Sequence, residues 1–384
     1  MIARSITEKL EELLIHFPAV TLTGCRQCGK STLLKNILPG YRYVSLEDID
    51  IRETAQSDPR HFLSIYNDRV ILDEIQRVPE LLSYLQTHID DAGKTGMYVL
   101  TGSHNLLLME SVSQSLAGRT ALLTLAPFSI RELSDAGELP SSVNELLYKG
   151  EYPRIYDQHP SPSDFYESYI RTYIERDVRM IKNITDLSSF TRFLRLCAGR
   201  CGQILNITSL AEDAGITRKT AESWLSVLET GYVVYLLKPY YRNFGKRLVK
   251  SPKLYFYDTG LAVSLLGLTS PGQIDSFYMR GALFENLIVM ELLKKRLFAG
   301  KNDGLFFWRD SNGLETDVIE EEGQQLYAYE IKSSETMDTH FFDSLRKICT
   351  LGPIPVKNTA VIYGGTTAQP ASGYCGAYIP WKNI

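Results

Sequence analysis

The sequence predicts an α/β chain that opens on a parallel sheet covered on both faces, and three observations predict it. Apolar runs alternate with amphipathic stretches over residues 1–135. The first run, Ala19-Val20-Thr21-Leu22-Thr23, feeds a loop framed by Gly24 and Gly29. A later one, Val70-Ile71-Leu72, ends in the carboxylates of Asp73 and Glu74. Buried parallel strands read as continuous apolar runs, and ligands collect at their carboxyl ends.

Residues 24–31 read GCRQCGKS, a complete phosphate-binding loop. Gly24 and Gly29 permit backbone angles closed to other residues. The N–H groups from Gly24 through Cys25, Arg26, Gln27, Cys28 and Gly29 to Thr32 are expected to turn inward around a phosphate at a helix N-terminus. Lys30 supplies a point charge to the outer phosphates, and the Ser31 hydroxyl suits Mg²⁺. Thr32-Leu33-Leu34-Lys35-Asn36 continues as a helix. Strand, loop and helix thus come in the order that nucleoside triphosphate binding requires, and the expected ligands are ATP and Mg²⁺.

Further elements fill out the sheet. Tyr41 to Leu46 reads as a strand and Glu80 to Asp91 as a helix. Asp73 is expected in the metal shell, with Glu74 polarising the attacking water. Met97 to Thr101 is a strand running into Gly102-Ser103-His104-Asn105. Ser103, with Asn105 second, is the residue expected to sit between the two loops and reach the γ-phosphate or the water; an ordinary polar turn is the alternative. Thr120 to Leu125 closes the sheet, and Arg119 before it is a candidate to stabilise γ-phosphate charge, in cis or from a neighbouring subunit. A solvent-facing or ion-paired arginine is the equal alternative.

Composition bounds the rest. At 384 residues the chain is too long for one ordinary domain. With 44% apolar and 22% charged residues it is core-forming. A net charge of −4 gives no global pull toward nucleic acid. No apolar stretch approaches the roughly 18 residues of a membrane span, and the N-terminus lacks a signal-peptide core. The expected compartment is the cytoplasm, without a membrane partner. Cys25 and Cys28 form a CxxC with no second pair at metal spacing, and they read as small loop fillers.

Past a Gly, Pro and Ser-rich stretch from Ser134 to Asp164, Phe165 to Met180 reads as a largely core-facing helix, with Arg176 and Asp177 as its polar exceptions. Residues 190–256 follow a winged helix-turn-helix pattern: three helices, a turn at Gly215-Ile216, and wing strands at 232–237 and 253–257. Residues 191–256 hold eleven Lys or Arg against four Asp or Glu, a local net of +7. Lys238, Arg242, Lys246, Arg247, Lys250 and Lys253 lie around the wing, a pattern suited to DNA or RNA phosphates. The second helix offers only Arg218, Lys219, Glu222 and Ser223, which is thin for base readout.

The last third carries a second signal. A helix from Met279 to Lys295 containing Glu285 precedes three strands, 305–309, 315–319 and 326–332. Asp317 and the pair Glu330-x-Lys332 fit the D…ExK arrangement of metal-dependent nucleases, because residues two apart share a strand face. Two carboxylates would converge on Mg²⁺, Glu285 would complete the shell and Lys332 would steady the phosphate. The alternative is an ordinary Glu–Lys surface pair.

Several phrases resemble a widespread prokaryotic family of AAA-type P-loop ATPases fused to a C-terminal domain of unknown function. They include LTGCRQCGKSTLL, VILDEIQRVPELL, VLTGSHNLLL and SLAGRTALLTLAPFSIREL, then YIRTYIERDVR, KSPKLYFYDTGL and the stretch from RGALFENLIVMEL to EIKSS. The resemblance implies a P-loop NTPase domain at 1–135, a helical linker and winged helix at 136–256, and a restriction-endonuclease-like domain at 257–384. ATP-site roles then fall on Gly24, Gly29, Lys30, Ser31, Asp73 and Glu74, and metal roles in the tail on Glu285, Asp317, Glu330 and Lys332. Cys28 stands where the family usually has Val or a similar residue. The expected activity is ATP hydrolysis coupled to a nucleic-acid-facing half. The rival is a switch, acting as a homo-oligomer or scaffold, whose tail binds protein or RNA without cutting.

Overall fold

The computed structural model describes residues 2–102, 115–174, 186–240, 250–301, 303–311, 313–352, 354–370 and 376–384. It divides into two compact units. One comprises Met1–Phe128, Thr230–Tyr232 and Arg296–Asn302; the other comprises Ser129–Glu229, Val233–Lys295 and Asp303–Ile384.

The first unit is built on five parallel strands: β1 (Ala19–Gly24), β2 (Arg42–Ser45), β3 (Val70–Asp73), β4 (Tyr98–Thr101) and β5 (Thr120–Leu125). Their order is β2-β3-β4-β1-β5. β4 therefore lies between the loop-bearing β1 and the carboxylate-bearing β3. Every residue of β1, β3 and β4 is buried, as expected of strands covered on both faces. Helix Leu81–Ala92 closes one face through Leu81, Leu82, Leu85 and Ile89, and ends on Gly93 in the left-handed region.

The second unit carries one mixed sheet of eight strands. These are β6 (Val234–Pro239), β7 (Lys253–Phe256), β8 (Leu305–Arg309), β9 (Glu315–Glu322), β10 (Gln325–Lys332), β11 (Thr359–Tyr363), β12 (Gln369–Pro370) and β13 (Ala377–Pro380). The order is β12-β13-β11-β10-β9-β8-β6-β7. Three helices precede β6: Leu187–Ala198, Ile207–Ala214 and Arg218–Thr230. Asp186 and Asn206 cap the first two through the N–H groups of Ser189 and Ser209, and the Thr217 hydroxyl caps the third through Thr220. Phe190 and Phe193 meet the Trp224 ring edge-on at 5.3 and 5.5 Å and lock the trio.

One expectation is corrected here. The strands read as a free wing form an antiparallel pair, but β6 also pairs in parallel with β8 at Lys238–Phe306 and Pro239–Phe307. They are the edge of the large sheet, so the boundary expected at 256/257 is crossed by strand pairing. Near the boundary expected at 135/136, the two compact units divide at 128/129. Helix Ile130–Asp135 belongs to the second unit, where the Ile130 N–H donates to Glu291 Oε2 at 2.7 Å. Arg176 and Asp177 lie outside the described residues, as do Arg242, Lys246 and Arg247. Among the described residues no helix is long and apolar enough to cross a membrane.

Candidate nucleotide site

Phosphate-loop geometry begins with a close approach. Gly24 has φ +135°, and a Cβ there would lie 2.0 Å from the Leu125 carbonyl oxygen on β5. Any side chain would push β5 away, so glycine is required by both torsion and space. Gly29 (φ +91°) releases the chain into helix Lys30–Ile37, and Gln27 is also left-handed. Cys25 and Cys28 are fully buried, in keeping with their reading as loop fillers.

Lys30 is folded back along the loop, its ammonium donating to the carbonyls of Gly24 and Cys25, each at 2.9 Å. The Ser31 hydroxyl donates to Asp73 Oδ2 at 2.8 Å. The strand ends therefore bring together the two oxygen donors that sequence assigned to Mg²⁺. A hydroxyl beside a carboxylate is the hard-oxygen set that this ion takes, so the residues present fit it. Arg26, Gln27 and Gly29 are partly accessible and Thr32 is exposed, which leaves the loop approachable.

Two further hydroxyls converge on Asp73. Thr101, at the end of β4, donates to Oδ1, and Tyr43 of β2 donates to Oδ2. The register explains both: Leu72 pairs with Leu100 and Ser45 with Asp73, so neighbours on both sides flank the carboxylate. Burial, and then the bond to the Asp73 carboxylate, raise the Tyr43 phenol above its ordinary range, so it remains a donor. The Lys35 ammonium lies 3.7 Å from the centre of the Tyr43 ring. Sequence had placed Ser103 between the loops. Ser103 and Asn105 lie outside the described residues, and Thr101 is the hydroxyl seen at this position.

Glu74 follows Asp73 with φ +56°, a left-handed conformation rare outside glycine and asparagine. Its carboxylate accepts from Gln76 Nε2. Left-handed backbone at the end of β3 thus turns the chain out of the strand line at Glu74.

Two long-range supports were not legible as motifs. Buried Arg4 donates to the Cys28 carbonyl at 2.9 Å and to the Ala126 carbonyl at 2.6 Å, and its guanidinium stacks 4.8 Å from the Phe128 ring centre. Tyr232 bonds the Thr23 hydroxyl at 2.8 Å, and its carbonyl accepts from the Cys25 thiol at 3.5 Å. Tyr232 is also left-handed, at φ +56°.

For Arg119 the ion-paired alternative is the one seen within this chain. The residue precedes β5, and its carbonyl accepts from the N–H of Ala19, the first residue of β1. It therefore lies at the opposite end of the parallel sheet from the phosphate loop. Both its Nε and Nη2 donate to Asp90, each at 2.7 Å. Nothing in this placement directs it at a γ-phosphate of its own chain.

The second unit does bring Glu285, Asp317, Glu330 and Lys332 to one face, but with a residue that sequence had assigned elsewhere. Lys253, 3% exposed, sits among carboxylates: its ammonium is 2.9 Å from Glu285, pairs with Glu315, and is 4.0 Å from Asp317. The charge read as a phosphate contact is thus an internal ion pair. Asp317 Oδ2 accepts the Ile331 N–H at 2.8 Å. Glu330 is held by Lys332 and the Ser344 hydroxyl, both at 2.6 Å. Burial, and then the nearby Asp317 charge, push the Glu330 carboxyl up to about 7. Among the described residues no group of three His, Cys, Asp or Glu side chains is placed to hold a metal. The carboxylates expected to hold a metal in the tail are engaged by Lys253 and Lys332 in this arrangement.

A family match agrees with the fold of the first unit. Residues 16–134 match the family described as an AAA domain, so this unit is an α/β P-loop domain of AAA type. Residues 140–272 and 280–384 match two families described as domains of unknown function, DUF8612 and DUF4143. An uncharacterized protein of Mycobacterium tuberculosis is 28% identical over 374 residues, covering 96% of this chain and 81% of the relative. An uncharacterized protein of Haemophilus influenzae is 21% identical over 369 residues, covering 85% of each. Among solved structures, a Walker-type ATPase of Pyrococcus abyssi is 16% identical, with 69% of this chain and 96% of that chain covered at a TM-score of 0.48. AMPPCP-bound DnaA from Aquifex aeolicus is also 16% identical, with 58% and 85% covered at a TM-score of 0.30.

Proposed function

We propose that this chain is a Mg²⁺-dependent ATPase of AAA type whose nucleotide state is coupled to its C-terminal unit. The observation that carries the reading is the 2.8 Å bond between Ser31 and Asp73, with Glu74 next in sequence at the same strand end. The loop N–H groups from Gly24 to Thr32 cradle the phosphates. Lys30 exchanges its loop carbonyls for β- and γ-phosphate oxygens, a swap of neutral acceptors for charged ones that favours binding. Ser31 and Asp73 would hold Mg²⁺, and the ion would supply positive charge against that building on the phosphates. Glu74 takes a proton from the attacking water as its oxygen bonds to the γ-phosphorus and the bridging P–O bond to ADP breaks. Thr101 and Tyr43 orient Asp73 from the sides.

For the C-terminal unit the reading is a binding module for nucleic acid that does not cut. The local excess of residues 191–256, ten Lys or Arg against four Asp or Glu once the buried Lys253 is set aside, supports the partner class. The ion-paired Lys253 favours the non-cleaving alternative. Phosphate release measured with and without single-stranded DNA, duplex DNA and RNA tests this coupling. Stimulation by one of them, lost at high salt, is expected; a rate indifferent to all three counts against a nucleic-acid partner.

A further inference from the structure

We infer that the Lys253 ammonium is the built-in cation of the nuclease-like carboxylate face, standing where a divalent ion would otherwise bind and keeping that face free of metal. The inference concerns the second unit alone and does not depend on ATP hydrolysis. Glu285 on helix Arg280–Phe298, Glu315 and Asp317 on β9, and Glu330 on β10 supply four carboxylates. Three cations already answer them: Lys253 touches Glu285, Glu315 and Asp317, Arg309 pairs with Glu315 at 2.9 Å, and Lys332 pairs with Glu330 at 2.6 Å. Charge on this face is thus nearly balanced by the chain itself.

Lys253 is also anchored. Its residue pairs with Leu237 of β6 on one side and with Ile204 on the other. Flanking bonds fix the segment: Leu205 N–H to the Pro252 carbonyl at 2.8 Å and Leu254 N–H to the Gln203 carbonyl at 3.1 Å. Tyr255, two residues on, donates to Glu285 at 2.5 Å, so a second contact on β7 holds the same carboxylate. Glu285, Glu315 and Asp317 surround the buried ammonium and supply the paired negative charge that a buried cation needs. A divalent ion on these oxygens would sit within a few ångströms of a fixed positive charge. Like charges held that close repel strongly even when partly screened, enough to lower an ion's affinity by about a hundredfold or more.

Mn²⁺ binding followed by electron paramagnetic resonance on the nucleotide-free full chain tests this, with Asp73→Asn in every sample so that the phosphate loop contributes no ion. The Lys253 that is present should leave the carboxylate face empty, and adding Asp317→Asn should change nothing. Lys253→Met, which keeps length and removes charge, should gain one Mn²⁺ with affinity at least about a hundredfold tighter. That ion should be lost again on adding Asp317→Asn. An Mn²⁺ bound with Lys253 in place and lost in Asp317→Asn would overturn the inference, and this arm needs no Lys253 variant to fold. A folded Lys253→Met, checked by circular dichroism, that takes up no Mn²⁺ would overturn it as well.

Discussion

The Ser31 hydroxyl donates a 2.8 Å hydrogen bond to Asp73 Oδ2, joining the first turn of the helix after the phosphate loop to the end of β3. β4 lies between the two strands involved, and Thr101 at its end donates to the other oxygen of the same carboxylate. Asp73 is thereby oriented before any ligand arrives. Preorganisation of this kind raises the value of a metal ligand, since little rearrangement remains at binding.

Removing the flanking donors should therefore act through the metal. Thr101→Val and Tyr43→Phe each delete a hydroxyl on Asp73 while keeping the side chain's shape. Hydrogen bonds to charged groups contribute about 1.5–3 kcal/mol, and loss of a residue that positions a metal ligand lowers metal affinity roughly 10–100-fold. The Mg²⁺ concentration giving half-maximal ATP turnover should rise by about tenfold or more in each. An unchanged Mg²⁺ requirement would show that these hydroxyls only fill space.

Gly24→Ala should be far more damaging than a surface change of the same size. The added Cβ meets the Leu125 carbonyl oxygen at 2.0 Å, and the backbone sits at φ +135°. Strain of this class commonly costs several kcal/mol. Thermal unfolding should show a large drop in Tm or no folded protein. A variant with near-native Tm and ATP binding would mean that β5 yields easily.

Arg119→Ala should leave ATP turnover within about twofold of the original, as for exposed positions away from a site. Its guanidinium is committed to Asp90 at the far end of the sheet. Turnover measured across protein concentration checks the trans alternative too: a concentration-dependent rate abolished by Arg119→Ala would restore it as a charge stabiliser.

Glu330 gives a pH test. Its folded carboxyl is pushed from an ordinary 4.5 up to about 7. The folded state then binds the proton more tightly than the unfolded state. Stability from this group is full below the unfolded value and falls as pH rises from about 4.5 through about 7. Glu330→Gln removes that titration, so its Tm relative to the unchanged chain should be higher at pH 8 than at pH 5. A difference independent of pH would contradict the burial and charge account of this carboxyl.

The loop, Asp73 and Glu74 were legible because each is a contiguous motif whose chemistry is carried by neighbours in sequence. Tyr43 and Thr101 were not, since strand register and the placing of β4 bring them to Asp73. Arg4 and Tyr232 reach the loop across long stretches of chain, and no local pattern marks such contacts. Lys253 misled because a lysine amid basic residues reads as solvated, whereas β7 buries it against three carboxylates. β11, with its apolar run Thr359 to Tyr363, has the signature of a buried strand, but its parallel pairing with β10 depends on the intervening helix Asp343–Leu351.

Hydrolysis of ATP by the Glu74→Gln chain, set against the original at saturating ATP and Mg²⁺, tests the central claim most directly. The change keeps the side chain's size and its neighbours while removing the base. ATP affinity should be retained and phosphate release should fall by about 10²–10⁴, the usual contribution of a general base. Equal phosphate release by the two proteins would contradict the account.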